Sequence, residues 1–188
     1  MSPAKKSRLY LIDASGHIFR AFYAIPELST SKGLPTNAIL GFTTMVRKLM
    51  RQEKPDYIAA AFDPPGPTIR HEAYADYKVS RDETPEDLLR QIPYVRRVCE
   101  ALRVPILEIP GYEADDVIGT LASKAAAAGI EAVIVSEDKD LLQLVDGNVT
   151  MLAERAGRRV YDRAAVEEKY GVPPESIPDL LALMDREC

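Results

Sequence analysis

Three short apolar runs, at residues 8–12, 57–62 and 131–135, each give way to acid: Asp13, Asp63 and the pair Glu137-Asp138. Runs this short and this continuously apolar suit strands buried on both faces, and the segments between them carry helical spacing. That alternation predicts an α/β fold with a central, mainly parallel sheet flanked by helices. In such sheets ligands bind beyond the carboxyl ends of the strands, where Asp13, Asp63 and Asp138 emerge.

The 188 residues fit one domain with a sizeable core. A hydrophobic share of 46% and a charged share of 28% match a globular chain, and no apolar stretch is long enough to span a bilayer. Residues 1–8 are basic but lack the apolar core of a secretory signal, so a cytoplasmic protein is expected, with no membrane partner. Cys99 and Cys188 form neither a metal-ligand spacing nor a disulfide framework. The net charge of −5 argues against a generally basic nucleic-acid binder, yet says nothing about a local patch.

Thr36-Asn37 is placed to cap a helix running to about residue 51. Residues 64–103 then depart from the α/β pattern: Pro-rich turns, a basic and aromatic stretch (Arg70, His71, Tyr74, Tyr77, Lys78, Arg81), and an amphipathic helix over residues 85–102. So long a connection exceeds what a crossover needs, and such excursions are commonly functional. Further on, residues 149–152 and 158–161 flank Gly157 as a hairpin. Residues 164–170 form a short helix stopped by Gly171, and residues 172–178 start another, apolar at Leu180, Leu181, Leu183 and Met184.

Seven carboxylates fall at strand ends or helix starts: Asp13, Asp63, Glu113, Asp115, Asp116, Asp138 and Asp140. Taken singly, Asp13 or Asp63 suits a turn or a helix cap, and the Glu113-Ala-Asp-Asp116 run suits the first turn of a helix. Ser136-Glu-Asp-Lys-Asp140 likewise reads as a capping box. Converging, however, the seven would repel one another unless divalent cations compensated them. That is the chemistry of metal-assisted phosphodiester hydrolysis, in which two ions about 3.5–4 Å apart clamp the attacking and leaving oxygens. Among the basic residues, Tyr74 and Tyr77 raise the prospect of base stacking beside phosphate contacts. His17 and His71 lack ligand-spaced partners and read as packing residues.

The specific motifs are Leu11-Ile-Asp13, Thr36-Asn-Ala-Ile-Leu-Gly-Phe42, Phe62-Asp63, the 70–81 stretch, Pro110-Gly-Tyr-Glu-Ala-Asp-Asp116 and Ser136-Glu-Asp-Lys-Asp140. With these, the chain from about Arg8 to Met184 resembles the bacterial 5′ nuclease family: the 5′-3′ exonuclease domain of DNA polymerase I and its flap endonuclease relatives. The resemblance implies a PIN-like core with a helical arch at about residues 64–103. It implies a first metal cluster of Asp13, Asp63, Glu113, Asp115 and Asp116, and a second to which Asp138 and Asp140 belong. Lys78 and Arg81 would act on the scissile phosphate, Tyr77 would stack on an unpaired base, and Arg70 would help place the strand. The implied cofactors are two Mg²⁺ or Mn²⁺ ions. The implied partners are DNA with a 5′ end or flap and a polymerase domain or other replication or repair protein.

After Met184 the family pattern continues with further carboxylates and a helix-hairpin-helix duplex clamp, whereas this chain reads Asp185-Arg-Glu-Cys188. The expectation is a second ion held weakly, with Asp185 a partial substitute for one ligand. Two alternatives remain open: a catalytically weak DNA-junction binding module, and a PIN-type ribonuclease.

Overall fold

The computed structural model describes residues 6–70, 84–154 and 157–184. In chain order the elements are β1 (Arg8–Asp13), α1 (Ala14–Ala24), α2 (Asn37–Glu53), β2 (Tyr57–Ala61), α3 (Glu86–Leu89), α4 (Ile92–Ala101), β3 (Ile106–Leu107) and α5 (Ala114–Ala127). There follow β4 (Glu131–Val135), a 3-10 helix (Lys139–Leu144), β5 (Val149–Ala153), β6 (Arg159–Tyr161), α6 (Arg163–Tyr170), a 3-10 turn (Pro174–Ser176) and α7 (Ile177–Met184). The six strands form one mixed, mostly parallel sheet in the order β3-β2-β1-β4-β5-β6. The expected fold class is the one observed. Among the described residues no helix is long and apolar enough to cross a membrane.

The chain forms two compact units, the first comprising Met1–Ile12, Pro55–Ile58 and Ile118–Cys188. Here β1 pairs in parallel with β4, from Arg8 opposite Glu131 to Ile12 opposite Val135, and β4 pairs in parallel with β5. The apolar runs bury both faces of these strands: Leu11, Ile12, Ile134 and Leu152 are almost wholly removed from water. The hairpin at Gly157 forms as expected, β5 and β6 pairing antiparallel from Met151 opposite Tyr161 to Ala153 opposite Arg159. Asp162, whose carboxylate accepts from the Ala165 amide at 2.8 Å, caps the helix that leads away from it.

The second unit comprises Asp13–Lys54 and Ala59–Val117. β1 runs into α1 without a loop, and α1 packs along α2. Gly41 permits that approach: a Cβ there would lie 2.6 Å from Ala21 Cβ and 2.7 Å from Ile25 Cδ1.

Two expectations are corrected in this unit. Thr36 makes no side-chain cap for α2. The cap is Gln91, fully buried, whose Oε1 accepts from the amides of Ala38 (2.9 Å) and Ile39 (3.2 Å) while its Nε2 donates to Asn37 Oδ1 (2.9 Å). The helix expected over residues 85–102 is broken into α3 and α4 around Arg90 and Gln91. Pro93, with no amide hydrogen, sits in the first turn of α4, where the loss costs nothing. Cys99 is buried in α4, and burial pushes its thiol up to about 11, the direction that disfavours the thiolate at neutral pH.

Candidate metal and nucleic-acid site

Asp13 closes β1 and is the N-cap of α1, its Oδ1 accepting from the Gly16 amide at 2.8 Å. Gly16 is required for that closure, since a Cβ there would fall 2.3 Å from Asp13 Oδ2. The carboxylate is 6% exposed, one of few buried charged groups among the described residues. Asp63 follows β2: its amide donates to Ser15 Oγ (3.0 Å), and its Oδ1 accepts from the Ala114 amide (2.8 Å), the first residue of α5. Ser15 and Ala114 therefore hold Asp63 to both neighbouring helix starts.

At the start of α5, the Glu113 amide donates to Asp116 Oδ2 at 3.1 Å, the reciprocal half of a capping box. Asp116 also takes a two-pronged ion pair from Arg70, Nη1 to Oδ2 and Nη2 to Oδ1, each 2.7 Å. Arg70 Nη1 reaches Glu113 Oε2 as well, at 3.3 Å, with Glu113 only 7% exposed. Asp115 lies half-buried in the same first turn. Arg70 is thus shared by two carboxylates, Glu113 and Asp116.

The structure thus brings Glu113 and Asp116 together with Arg70 through direct bonds, and ties Asp63 to the start of α5 through the Ala114 amide and to α1, which Asp13 caps, through Ser15. Asp138 and Asp140 belong to the other unit, where the capping reading is corrected in detail. Asp138, not Ser136, is the N-cap of a 3-10 helix, its Oδ1 accepting from the Asp140 amide at 2.9 Å, and Ser136 Oγ accepts from the Asp138 amide at 3.0 Å. His17, expected to be a packing residue, is buried and its Nδ1 lies 2.6 Å from Arg20 Nη2. Tyr77, Lys78, Arg81, His71, Tyr74 and Asp185 lie outside the described residues.

All the candidate ligands are carboxylate oxygens, a donor set that suits hard ions such as Mg²⁺ or Mn²⁺ and not soft ones. Among the described residues, however, no three acidic, histidine or cysteine side chains converge as a ready-made metal cage. The donors fit by chemistry, and two of them, Glu113 and Asp116, are held by Arg70. Sequence reasoning missed that pairing because 43 and 46 residues separate the partners. It also missed Ser15 and Gln91, whose roles depend on contacts with no local signature.

Residues 8–171 match the family described as 5′-3′ exonuclease, N-terminal resolvase-like domain. The 5′-3′ exonuclease of Aquifex aeolicus is 47% identical over 176 residues, covering 94% of this chain and 61% of that protein. DNA polymerase I of Pseudomonas aeruginosa is 46% identical over 176 residues, 94% of this chain but 19% of the polymerase. The chain therefore spans under two thirds of the one relative and about a fifth of the other. Among solved structures, T5 5′-exonuclease bound to zinc superposes with a TM-score of 0.68 at 18% identity, covering 90% of this chain and 64% of that one. The catalytic core of Rad2 in complex with DNA superposes at 0.53 with 18% identity, over 92% of this chain and 52% of the other. At these identities the structural likeness speaks for the fold, which is the PIN-like one. On the strength of the sequence match, the chain belongs to the 5′-3′ exonuclease family and carries its N-terminal resolvase-like domain.

Proposed function

We propose that the chain is a divalent-metal-dependent 5′-3′ nuclease that hydrolyses DNA at a 5′ end or flap, working beside DNA in the cytoplasm with a polymerase domain or another repair protein. What supports this reading is the family match over residues 8–171, together with the placing of Asp63, Glu113, Asp115 and Asp116 at the start of α5. Asp13, Asp63, Glu113, Asp115 and Asp116 would hold the first ion, and Asp138 and Asp140 would contribute to a second, held weakly. Bound Mg²⁺ or Mn²⁺ would supply Lewis-acid polarisation of a phosphoryl oxygen and a more acidic water.

The remaining chemistry falls to the chain's own side chains. Lys78 and Arg81 would place fixed positive charge where negative charge develops on the phosphate, and Tyr77 would stack on an unpaired base. Arg70 takes a role that the sequence did not suggest: it offsets Glu113 and Asp116, alongside any contact with the strand.

A flap-cleavage assay on the purified chain with Mg²⁺ and Mn²⁺ titrations tests the reading. Cleavage that rises with metal and vanishes in Asp116→Asn supports it; no cleavage of DNA flaps at any metal concentration rejects it. The commitment of two proposed ligands to Arg70 favours one alternative, a DNA-junction binding module with little turnover. Tight junction binding without cleavage in Mn²⁺ selects that alternative.

A further inference from the structure

A cavity of about 510 Å³ opens in the first unit between the β5–β6 hairpin, the Lys139–Leu144 helix and α6, and none of the seven candidate metal ligands lines it. Its charge is one-sided. Lys139, Arg158, Arg159 and Lys169 line it against a single carboxylate, Glu137, whose Oε1 is tied to the Glu154 amide at 2.6 Å. Elsewhere several arginines are matched with acids: Arg70 with Asp116, Arg90 with Asp87, Arg96 with Glu108, and Arg163 with Glu167 and Glu175. Among the described residues, Lys139, Arg159 and Lys169 make no ion pair.

Two of these cations, Arg159 and Lys169, stand against aromatic rings. Lys169 Nζ lies 2.7 Å from Tyr161 Oη and stands over the Tyr161 and Tyr170 rings at 4.8 and 4.9 Å. The Arg159 guanidinium also lies over the Tyr161 ring, 5.9 Å from its centre. Burial pushes the Tyr161 phenol up, but hydrogen bonds from Lys169 and Arg159 outweigh it and leave the phenol below its ordinary value. Neutral phenols position positive charge without cancelling it. Uncancelled cations held in a concavity focus their field on whatever anion approaches.

From this we infer that the Lys139–Arg159–Lys169 cavity is a phosphate-binding site for the backbone of a nucleic-acid strand. The volume leaves room for more than one inorganic phosphate, so a phosphate carried on a nucleoside fits as well. Lysine and arginine beside tyrosines are the side chains that hold a strand by its phosphates with little regard for sequence. That the phosphate belongs to a strand rests on the nuclease reading; that the cavity takes phosphate does not.

The test uses the 188-residue chain and a fluorescein-labelled single-stranded oligonucleotide, read by anisotropy across a salt series with no metal added. Arg159→Glu is expected to weaken binding roughly fivefold to tenfold and to flatten the salt slope by about 0.7 for each phosphate no longer neutralised. Lys169→Gln should weaken it several-fold and Lys169→Arg much less. Thermal melting confirms folding; if Arg159→Glu melts early, Arg159→Gln carries the same comparison with a smaller expected effect. Folded variants that bind within twofold of the parent chain, with the same salt slope, overturn the inference. So does a result in which inorganic phosphate raises the melting temperature of the parent chain but not of Arg159→Glu while strand affinity is unmoved, because the cavity then holds a small anion. Cleavage is scored separately with Mg²⁺ or Mn²⁺. A chain that binds the strand through this cavity and never cleaves rejects the nuclease reading and leaves the cavity assignment standing.

Discussion

The two charged regions of this chain handle charge in opposite ways. At the start of α5, the acids are engaged from within: amides of Gly16, Glu113 and Ala114 donate to Asp13, Asp116 and Asp63, and Arg70 neutralises the most crowded pair. In the hairpin cavity, Arg159 and Lys169 stand over the Tyr161 ring, and Lys139, Arg159 and Lys169 make no ion pair among the described residues. The acidic region can fold without its ion because donors already on the chain carry part of the electrostatic cost. The basic cavity needs no such support, since exposed cations are hydrated at little cost. On the proposed reading, the acidic region takes a cation and the basic cavity an anion.

Removing metal should have the largest effect. With EDTA present, flap cleavage is expected to fall to background while strand binding through the hairpin cavity persists. Equal loss of both would mean that the two regions are not independent.

Next in size is Arg70→Ala. Without metal it should lower stability by about 1–2 kcal/mol, because two crowded carboxylates lose their partner. With saturating Mg²⁺ the deficit should shrink, and calorimetry should show metal binding tightened several-fold, since no guanidinium competes for Glu113 and Asp116. An identical deficit with and without metal would show that Arg70 is not a counter-ion exchanged for the metal.

Gly16→Ala should cost about 1 kcal/mol by forcing the Asp13 carboxylate off the α1 amides, and should weaken metal binding in parallel. A stability loss with unaltered calorimetric metal affinity would remove Asp13 from the ligand set.

The smallest effect is spectroscopic. Tyr161, depressed by its cationic neighbours, should ionise below the ordinary tyrosine value near 10, so ultraviolet titration of the native chain shows an early phenolate step. The sign follows from linkage: a depressed acid contributes stability above its unfolded pKa and loses it as pH falls through the folded one. Lys169, held above its ordinary value first by the Tyr161 hydrogen bond, contributes below about pH 10 and loses its contribution as pH rises through its raised pKa. Tyr161→Phe should delete the early step, and Lys169→Met should move it upward. An unchanged titration in both would mean that the phenol does not hold the lysine.

How much could be read in advance depended on how local the cause was. The strands at residues 8–12, 57–62 and 131–135 were visible because a strand buried on both faces must be apolar throughout. The Gly157 hairpin and the Gly171 stop were visible for the same local reason. α1 was not, because Asp13 ends a strand and caps a helix at once, and the sequence shows only one acid after an apolar run. β3 was missed because two residues carry no pattern; it exists by pairing with Ala60 and Ala61. Among the proposed site residues, the sequence shows the seven acids at strand ends and helix starts, and the structure bears out that local placing for Asp13, Asp116 and Asp138 as caps or first-turn residues. Arg70's grip on Asp116 and Lys169's on Tyr161 were not, because both are fixed by tertiary approach.

Gln91 supplies one further consequence. The first amides of a helix ordinarily exchange their hydrogens with solvent freely, having no carbonyl within the helix to protect them. In α2 the Ala38 and Ile39 amides are instead sealed by a side chain from a segment more than fifty residues away. Their deuterium uptake therefore clocks the departure of residues 86–101 from α2, while amides in the middle of α2 stay protected by the helix itself. Two positions in one helix thus time the opening of another part of the chain.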